Sequence, residues 1–150
     1  MPGARLYVDT SALLKCYVAE KNSDEVEAFL ATYAKANRSN LVLSSLTKLE
    51  WHCAMGRRER AGEIDLSYHQ LARKAFVERW DSGYYDVLRV ENALYDKALS
   101  LIASVTPALR ALDALHLTVA ITANVKEMVT ADKVMAERAR ELQLNVHYFK

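Results

Sequence analysis

The sequence predicts an α/β domain with a central, mostly parallel sheet flanked by helices. Two observations carry that prediction. Short apolar runs alternate with helical segments of ten or more residues, which is the pattern of repeated strand–helix crossovers. The links between them are short, and links of that length favour right-handed crossovers. With four glycines and two prolines in 150 residues, the chain is helix-dense and has no linker or repeat, so residues 1–150 read as one domain.

The elements follow in order. Arg5-Leu6-Tyr7-Val8-Asp9 is a short apolar run ending in an acid, and reads as the first strand. Thr10 and Ser11 are suited to cap the next helix, which runs to about Ala19. Asn22 to Glu25 fits a capping arrangement for a second helix that extends to about Ala36. Leu41–Ser44 is the second strand, followed by a helix from about Ser45 to Glu59 that stops near Gly62. A helix from about Ser67 to Trp80 precedes a third strand, Asp86–Val90. Helices over Glu91–Ser104 and Ala108–Ala123, a strand Met128–Thr130, a helix Asp132–Leu142 and a strand Asn145–Phe149 complete the chain.

Bulk properties exclude several classes. Hydrophobic residues make up 51% and charged residues 26%, ordinary values for a globular protein. No apolar run approaches the roughly 18 residues of a membrane span. Arg5 and Asp9 interrupt what would have to be the apolar stretch of a signal peptide. The cytoplasm is therefore the expected compartment. A net charge of +1 gives no global attraction to nucleic acid, so any such binding must rest on local patches and bound metal. Cys16 and Cys53 sit in apolar helical patterns and read as small core residues, since two thiols make no zinc site.

In open parallel sheets the functional crevice lies at the carboxyl ends of the strands. Two acids stand there. Asp9 closes the first strand and Asp132 follows the fourth, and each can equally be read as a helix N-cap. Glu50 shares a helix stripe with Leu46, Cys53 and Ala54, so it either pairs with Arg57 or Lys48 at the surface or faces a site. Asp113 has Leu109, His116, Leu117 and Ala120 as helical neighbours. An acid left alone there costs several kcal/mol. A salt bridge to Arg110, a hydrogen bond to His116 or a bound cation would each offset that cost. Thr130 can turn its hydroxyl toward the same crevice or satisfy backbone.

A single crevice can collect all four acids. Crowded carboxylates repel and raise one another's pKa. A hard divalent cation such as Mg²⁺ or Mn²⁺ relieves that repulsion with an all-oxygen ligand set. Such a cluster suits hydrolysis of phosphodiesters, because a bound metal activates water and stabilises the leaving oxygen.

The residues also resemble a known family. Tyr7-Val8-Asp9-Thr10-Ser11-Ala12-Leu13-Leu14-Lys15, with Tyr17 and Glu20, resembles the opening of PIN-domain proteins, especially VapC-type toxins. Leu43-Ser44-Ser45-Leu46 through Leu49-Glu50 is similar to their second motif, Leu112–Leu117 to the third, and Val129-Thr130-Ala131-Asp132-Lys133 with Ala136 and Ala139 to the fourth. The resemblance spans nearly the whole chain in the right order. It implies a PIN-like, three-layer α/β/α fold and a Mg²⁺- or Mn²⁺-dependent endoribonuclease acting on RNA. Asp9, Glu50, Asp113 and Asp132 would form the acidic, metal-holding site, with Asp9 and Asp113 the direct ligands and Ser11 and Thr130 in support. It further implies a homodimer and a cognate VapB-type antitoxin that occludes the groove. One departure bears on a turn: Gln143-Leu144 stands where the family often has Gly-Leu.

Other constellations carry less. His116 is close enough to Asp113 in sequence to reach a shared metal but fits a packed core residue better, and His52, His69 and His147 lack ligand spacing. Arg57, Arg58, Arg60, Arg73, Lys74 and Arg79 can line a phosphate groove or form a solvated face. Tyr84, Tyr85, Trp51 and Trp80 can stack on bases, although core packing suits both tryptophans better. No GxSxG, P-loop or GxGxxG is present. An aspartyl-phosphate enzyme needs a second acid two residues after the first, and Ser11 is there instead. A non-catalytic RNA- or protein-binding module is the remaining alternative, although a pure scaffold gains nothing from four crowded acids.

Overall fold

The computed structural model describes residues 4–34, 39–104 and 109–150. Strands β1 (Leu6–Val8), β2 (Leu41–Ser44), β3 (Asp86–Leu88), β4 (Glu127–Thr130) and β5 (Asn145–Tyr148) form one five-stranded sheet in the order β3-β2-β1-β4-β5. Every neighbouring pair is parallel. All carboxyl ends therefore lie along one edge, with β1 at its centre.

Strand alternation splits the core in two. Leu6 and Val8 of β1, Leu41 and Leu43 of β2, and Val129 of β4 pack on one side. That side is covered by α1 (Thr10–Leu14), α2 (Ser23–Ala31), α3 (Ser45–Arg60) and α4 (Leu66–Asp81). Tyr7, Val42 and Met128 point the other way, into the layer of α5 (Asn92–Ser104), α6 (Ala111–Thr122) and α7 (Lys133–Glu141). Successive side chains of a strand point to opposite faces, so buried neighbours feed both cores. The three-layer α/β/α expectation holds.

The α1–α4 side is the aromatic one. Trp51 stacks on Phe76 at 4.3 Å with planes 3° apart, and Tyr17 meets both rings edge-on. Trp51 is fully buried, while Trp80 lies at the edge of this core beneath the Lys48 ammonium.

Several local expectations need correction. The first helix ends at Leu14, not near Ala19, because the amides of Lys15, Cys16 and Tyr17 bond three residues back and tighten the chain into turns. Asn22 does not cap α2: its φ of 65° is left-handed, and its amide donates to the Lys150 carbonyl instead. Thr10 and Ser11 do not cap α1, since their hydroxyls are committed elsewhere. Cys53 is exposed; its position on α3 lies outside the buried stripe of Thr47, Trp51, Ala54 and Met55, and only Cys16 packs against the core. The expected end at Ala36 and start at Ala108 lie outside the described residues; α2 ends at Ala31 and α6 begins at Ala111. Gly62, with φ of 75°, does end α3.

Gln143 stands at φ of 66° in the turn between α7 and β5. A side chain in that left-handed region crowds the following carbonyl, at a cost of about 1–2 kcal/mol. Gln143→Gly removes the crowding but makes the unfolded chain more flexible. A net gain of about 0.5–1 kcal/mol is expected, seen as a higher denaturant midpoint at unchanged slope.

Candidate active site

Asp9 immediately follows the central strand and is 5% exposed. Its backbone occupies the N-cap position of α1, yet its side chain makes no cap bond. Instead, Ser11 Oγ donates to Oδ2 at 2.6 Å and Thr130 Oγ1 donates to the same oxygen at 2.8 Å. Each hydroxyl has one proton, and both protons go to this carboxylate. The hydroxyl oxygens in turn accept from the backbone: Ser11 from Ala131 N–H at 2.9 Å, Thr130 from Asp132 N–H at 3.0 Å. The end of β1 is thereby laced to the turn between β4 and α7. Thr130 satisfies backbone, as one reading of it expected, and does so from a fully buried position behind Asp9.

Asp113 lies in the first turn of α6, and Asp132 caps α7 through Oδ1, which accepts from Met135 N–H at 3.1 Å. One guanidinium serves both acids. Arg110 Nε donates to Asp113 Oδ2 at 2.6 Å and an Arg110 terminal nitrogen to Asp132 Oδ2 at 2.8 Å. The Arg110 side chain is itself 61% exposed. The two acids respond differently. Burial pushes the Asp113 carboxyl up, and repulsion from Asp9 and Asp132 adds to it, so Arg110 only partly restores it and the net shift is upward. Burial also opposes ionisation of Asp132, but the Arg110 hydrogen bond and backbone N–H groups outweigh it and hold that carboxyl low.

Glu50 takes the inward alternative. Its Oε1 accepts from Thr10 Oγ1 at 2.8 Å and lies 2.5 Å from His116 Nε2. His116 is 1% exposed, and its Nδ1 is 2.6 Å from the Tyr7 hydroxyl. Burial pushes Glu50 up, yet the His116 bond and charge, with Thr10, outweigh it and the net shift is downward. Burial pushes His116 down, but the bond to Glu50 and the charges of Asp9, Glu50 and Asp113 raise it overall.

Asp9, Glu50, Asp113 and Asp132 all line one cavity of about 400 Å³, which Arg57 and Arg110 also border. Folding thus gathers the four predicted acids, with Ser11 also at the wall. The donor set is all hard carboxylate oxygen, and Asp113 registers the repulsion of its neighbours, so the chemistry fits a divalent cation. Among the described residues, no three His, Cys, Asp or Glu donors converge closely enough to enclose an ion as they stand, and the Arg110 guanidinium occupies the bridging position between two acids. Sequence reasoning named Arg110 only as a partner for Asp113 and placed Tyr7 in the core. The signal for Arg110 was its i−3 position at a helix start; Tyr7 gave none.

The basic residues of α3 and α4 divide between the two readings. Arg57 borders the acidic cavity and Arg60 the adjoining one. Arg58, by contrast, pairs with Glu20 and Glu63, and Arg79 lies against Tyr84. Tyr85 is buried beside Tyr17, so neither it nor Trp51 is free to stack on a base.

Comparison with known proteins gives a consistent result. The PIN domain family model matches residues 6–141. Over 145 residues the chain is 31% identical to Ribonuclease VapC46 of Mycobacterium tuberculosis, covering 95% of this chain and 96% of that protein. Among solved structures, PAE2754 from Pyrobaculum aerophilum matches with a TM-score of 0.66 at 19% identity, over 97% of this chain and 88% of that one. VapBC2 from Rickettsia felis, solved bound to a promoter DNA fragment, matches with a TM-score of 0.65 at 15% identity, over 97% and 98% of the two chains. At these identities the structural likeness speaks for the fold alone.

The Glu50–His116 pair has a defined pH signature. Because His116 is raised on folding, its contribution is present below the ordinary histidine value and is lost as pH rises through the folded value. Because Glu50 is lowered, its contribution is present above the ordinary carboxylate value and is lost as pH falls through the folded value. The stability difference between the native protein and His116→Leu, which removes the bond to Glu50, should therefore peak between about pH 4.5 and 6.5, at about 1.5–3 kcal/mol. Urea midpoints across that range check it, and a flat difference would show that the pair is not ionic.

Proposed function

The chain belongs to the PIN domain family, and from that premise we propose that it is a Mg²⁺- or Mn²⁺-dependent endoribonuclease, the toxin of a VapBC-type toxin–antitoxin pair. The observation that carries this reading is the single cavity shared by Asp9, Glu50, Asp113 and Asp132. These positions are scattered along the sequence, and although Arg110 and His116 offset part of the cost of packing four acids together, a held cation would offset the rest. A relative over nearly the whole chain is a ribonuclease, which supports RNA as the substrate.

Asp9 and Asp113 are the proposed direct ligands, with Glu50 and Asp132 completing the set. A divalent ion held there supplies an activated water and stabilises charge on the phosphoryl and leaving oxygens. The protein's own groups do the rest. Ser11 and Thr130 fix the Asp9 carboxylate in one rotamer, so its orientation need not be selected at each turnover. Arg110 neutralises Asp113 and Asp132 in the absence of substrate, and its exposed guanidinium, with Arg57, is placed to meet the RNA phosphate. Glu50 and Asp132 orient the attacking water.

The same reading gives the protein a cognate VapB-type antitoxin that covers the cavity, a homodimeric state and a cytoplasmic setting, with residues 1–150 acting as one domain. Among the described residues, no helix is long and apolar enough to cross a membrane.

Asp9→Asn and Asp113→Asn should each lower RNA cleavage by about 10²–10³-fold, with circular dichroism showing a retained fold. EDTA should stop cleavage and added Mg²⁺ or Mn²⁺ restore it. Cleavage that survives both the chelator and the substitutions would overturn the assignment.

A further inference from the structure

Beneath the acidic cavity lies a buried hydrogen-bonded chain that the proposed chemistry does not use. Tyr7 stands two residues before Asp9, so the two project from the same face of the central strand. His116 stands three residues after Asp113, nearly one turn along the same face of α6. Strand and helix thus present two matching rungs, Asp9 with Asp113 at the cavity and Tyr7 with His116 one layer deeper. The lower rung is closed by the Tyr7–His116 bond of 2.6 Å and reaches the cavity through His116 Nε2, 2.5 Å from Glu50 Oε1. Tyr7 is fully buried and His116 nearly so.

Proton accounting gives this chain a direction. An ionised Glu50 only accepts, so Nε2 carries a proton. In the singly protonated ring Nδ1 is then the acceptor, and the Tyr7 hydroxyl donates to it. In the doubly protonated ring Nδ1–H donates to the Tyr7 oxygen instead. Either way Nε2–H points at Glu50. This hold leaves Glu50 turned inward, with both its bonds on Oε1; among the described residues Oε2 receives none.

We infer that Tyr7 and His116 are positioning residues that aim the Glu50 carboxylate into the acidic cavity. The inference rests on the reading of that cavity as the metal-holding site. A partner one bond behind a ligand, as His116 is, typically changes metal affinity by about 10–100-fold when lost, and Tyr7 acts through it.

The test measures Mn²⁺ affinity on the intact protein by calorimetric titration, apart from any turnover. Tyr7→Phe should weaken Mn²⁺ binding by about 10-fold in the native background and cause no further loss in a Glu50→Gln background. His116→Leu should weaken binding similarly, whereas His116→Gln, which keeps an N–H near the Nε2 position, should bind close to the native level. Melting curves establish that each variant is folded; should Tyr7→Phe fail to fold, the contrast between the two His116 variants decides. Native-like binding by both Tyr7→Phe and His116→Leu, or equal losses from Tyr7→Phe in both backgrounds, overturns the inference alone. A native protein that takes up no Mn²⁺ overturns the reading of the cavity, and this inference with it.

Discussion

Like charges brought to one edge of a parallel sheet repel each other, and the architecture around the cavity answers that repulsion acid by acid. Asp9 receives two hydroxyl protons, Asp113 and Asp132 share one guanidinium, and Glu50 is held by a histidine and a threonine. An acid in a half-dry pocket without a donor would protonate or turn away, and the cavity would lose the negative character that makes it a site. The unequal response of Asp113 and Asp132 to the same Arg110 shows how far the compensation goes: at Asp113 burial, with repulsion from Asp9 and Asp132 added, still outweighs it.

The geometry that permits this arrangement is a match between two periods. A strand returns to the same face every two residues and a helix nearly so every three or four. Tyr7 on β1 and Asp9 just past its end therefore line up with His116 and Asp113 on α6. The layer of acids at the cavity is tied to a buried Tyr7–His116 layer below it. The parallel sheet order adds the fourth acid, because β4 pairs directly with β1 and brings Thr130 and Asp132 beside Asp9.

Where sequence reasoning failed, the reasons are physical and specific. The spacing from Asn22 to Glu25 fits a cap, but the Asn22 backbone is left-handed and its side-chain amide reaches Lys150 instead. Cys53 was placed inside because its neighbours on the helix are apolar, yet α3 turns that side outward. Sequence left open whether the basic residues of α3 and α4 line a groove or a solvated face, and packing separates even neighbours: Arg57 meets the cavity while Arg58 is taken up by Glu20 and Glu63. Local pattern reports polarity but not which way an element is rotated.

The sequence by itself determined the element order, the alternation that buries both faces of the sheet, and the placing of Asp9 and Asp132 just past strand ends. Those are local properties, set by periods of two and 3.6 residues. Which way Glu50 faces, the sharing of Arg110 between two acids, and the Tyr7–His116 bond across 109 residues were decided only by tertiary structure. Contacts of that range depend on which strands become neighbours and how each helix lies across them, and no local repeat encodes either.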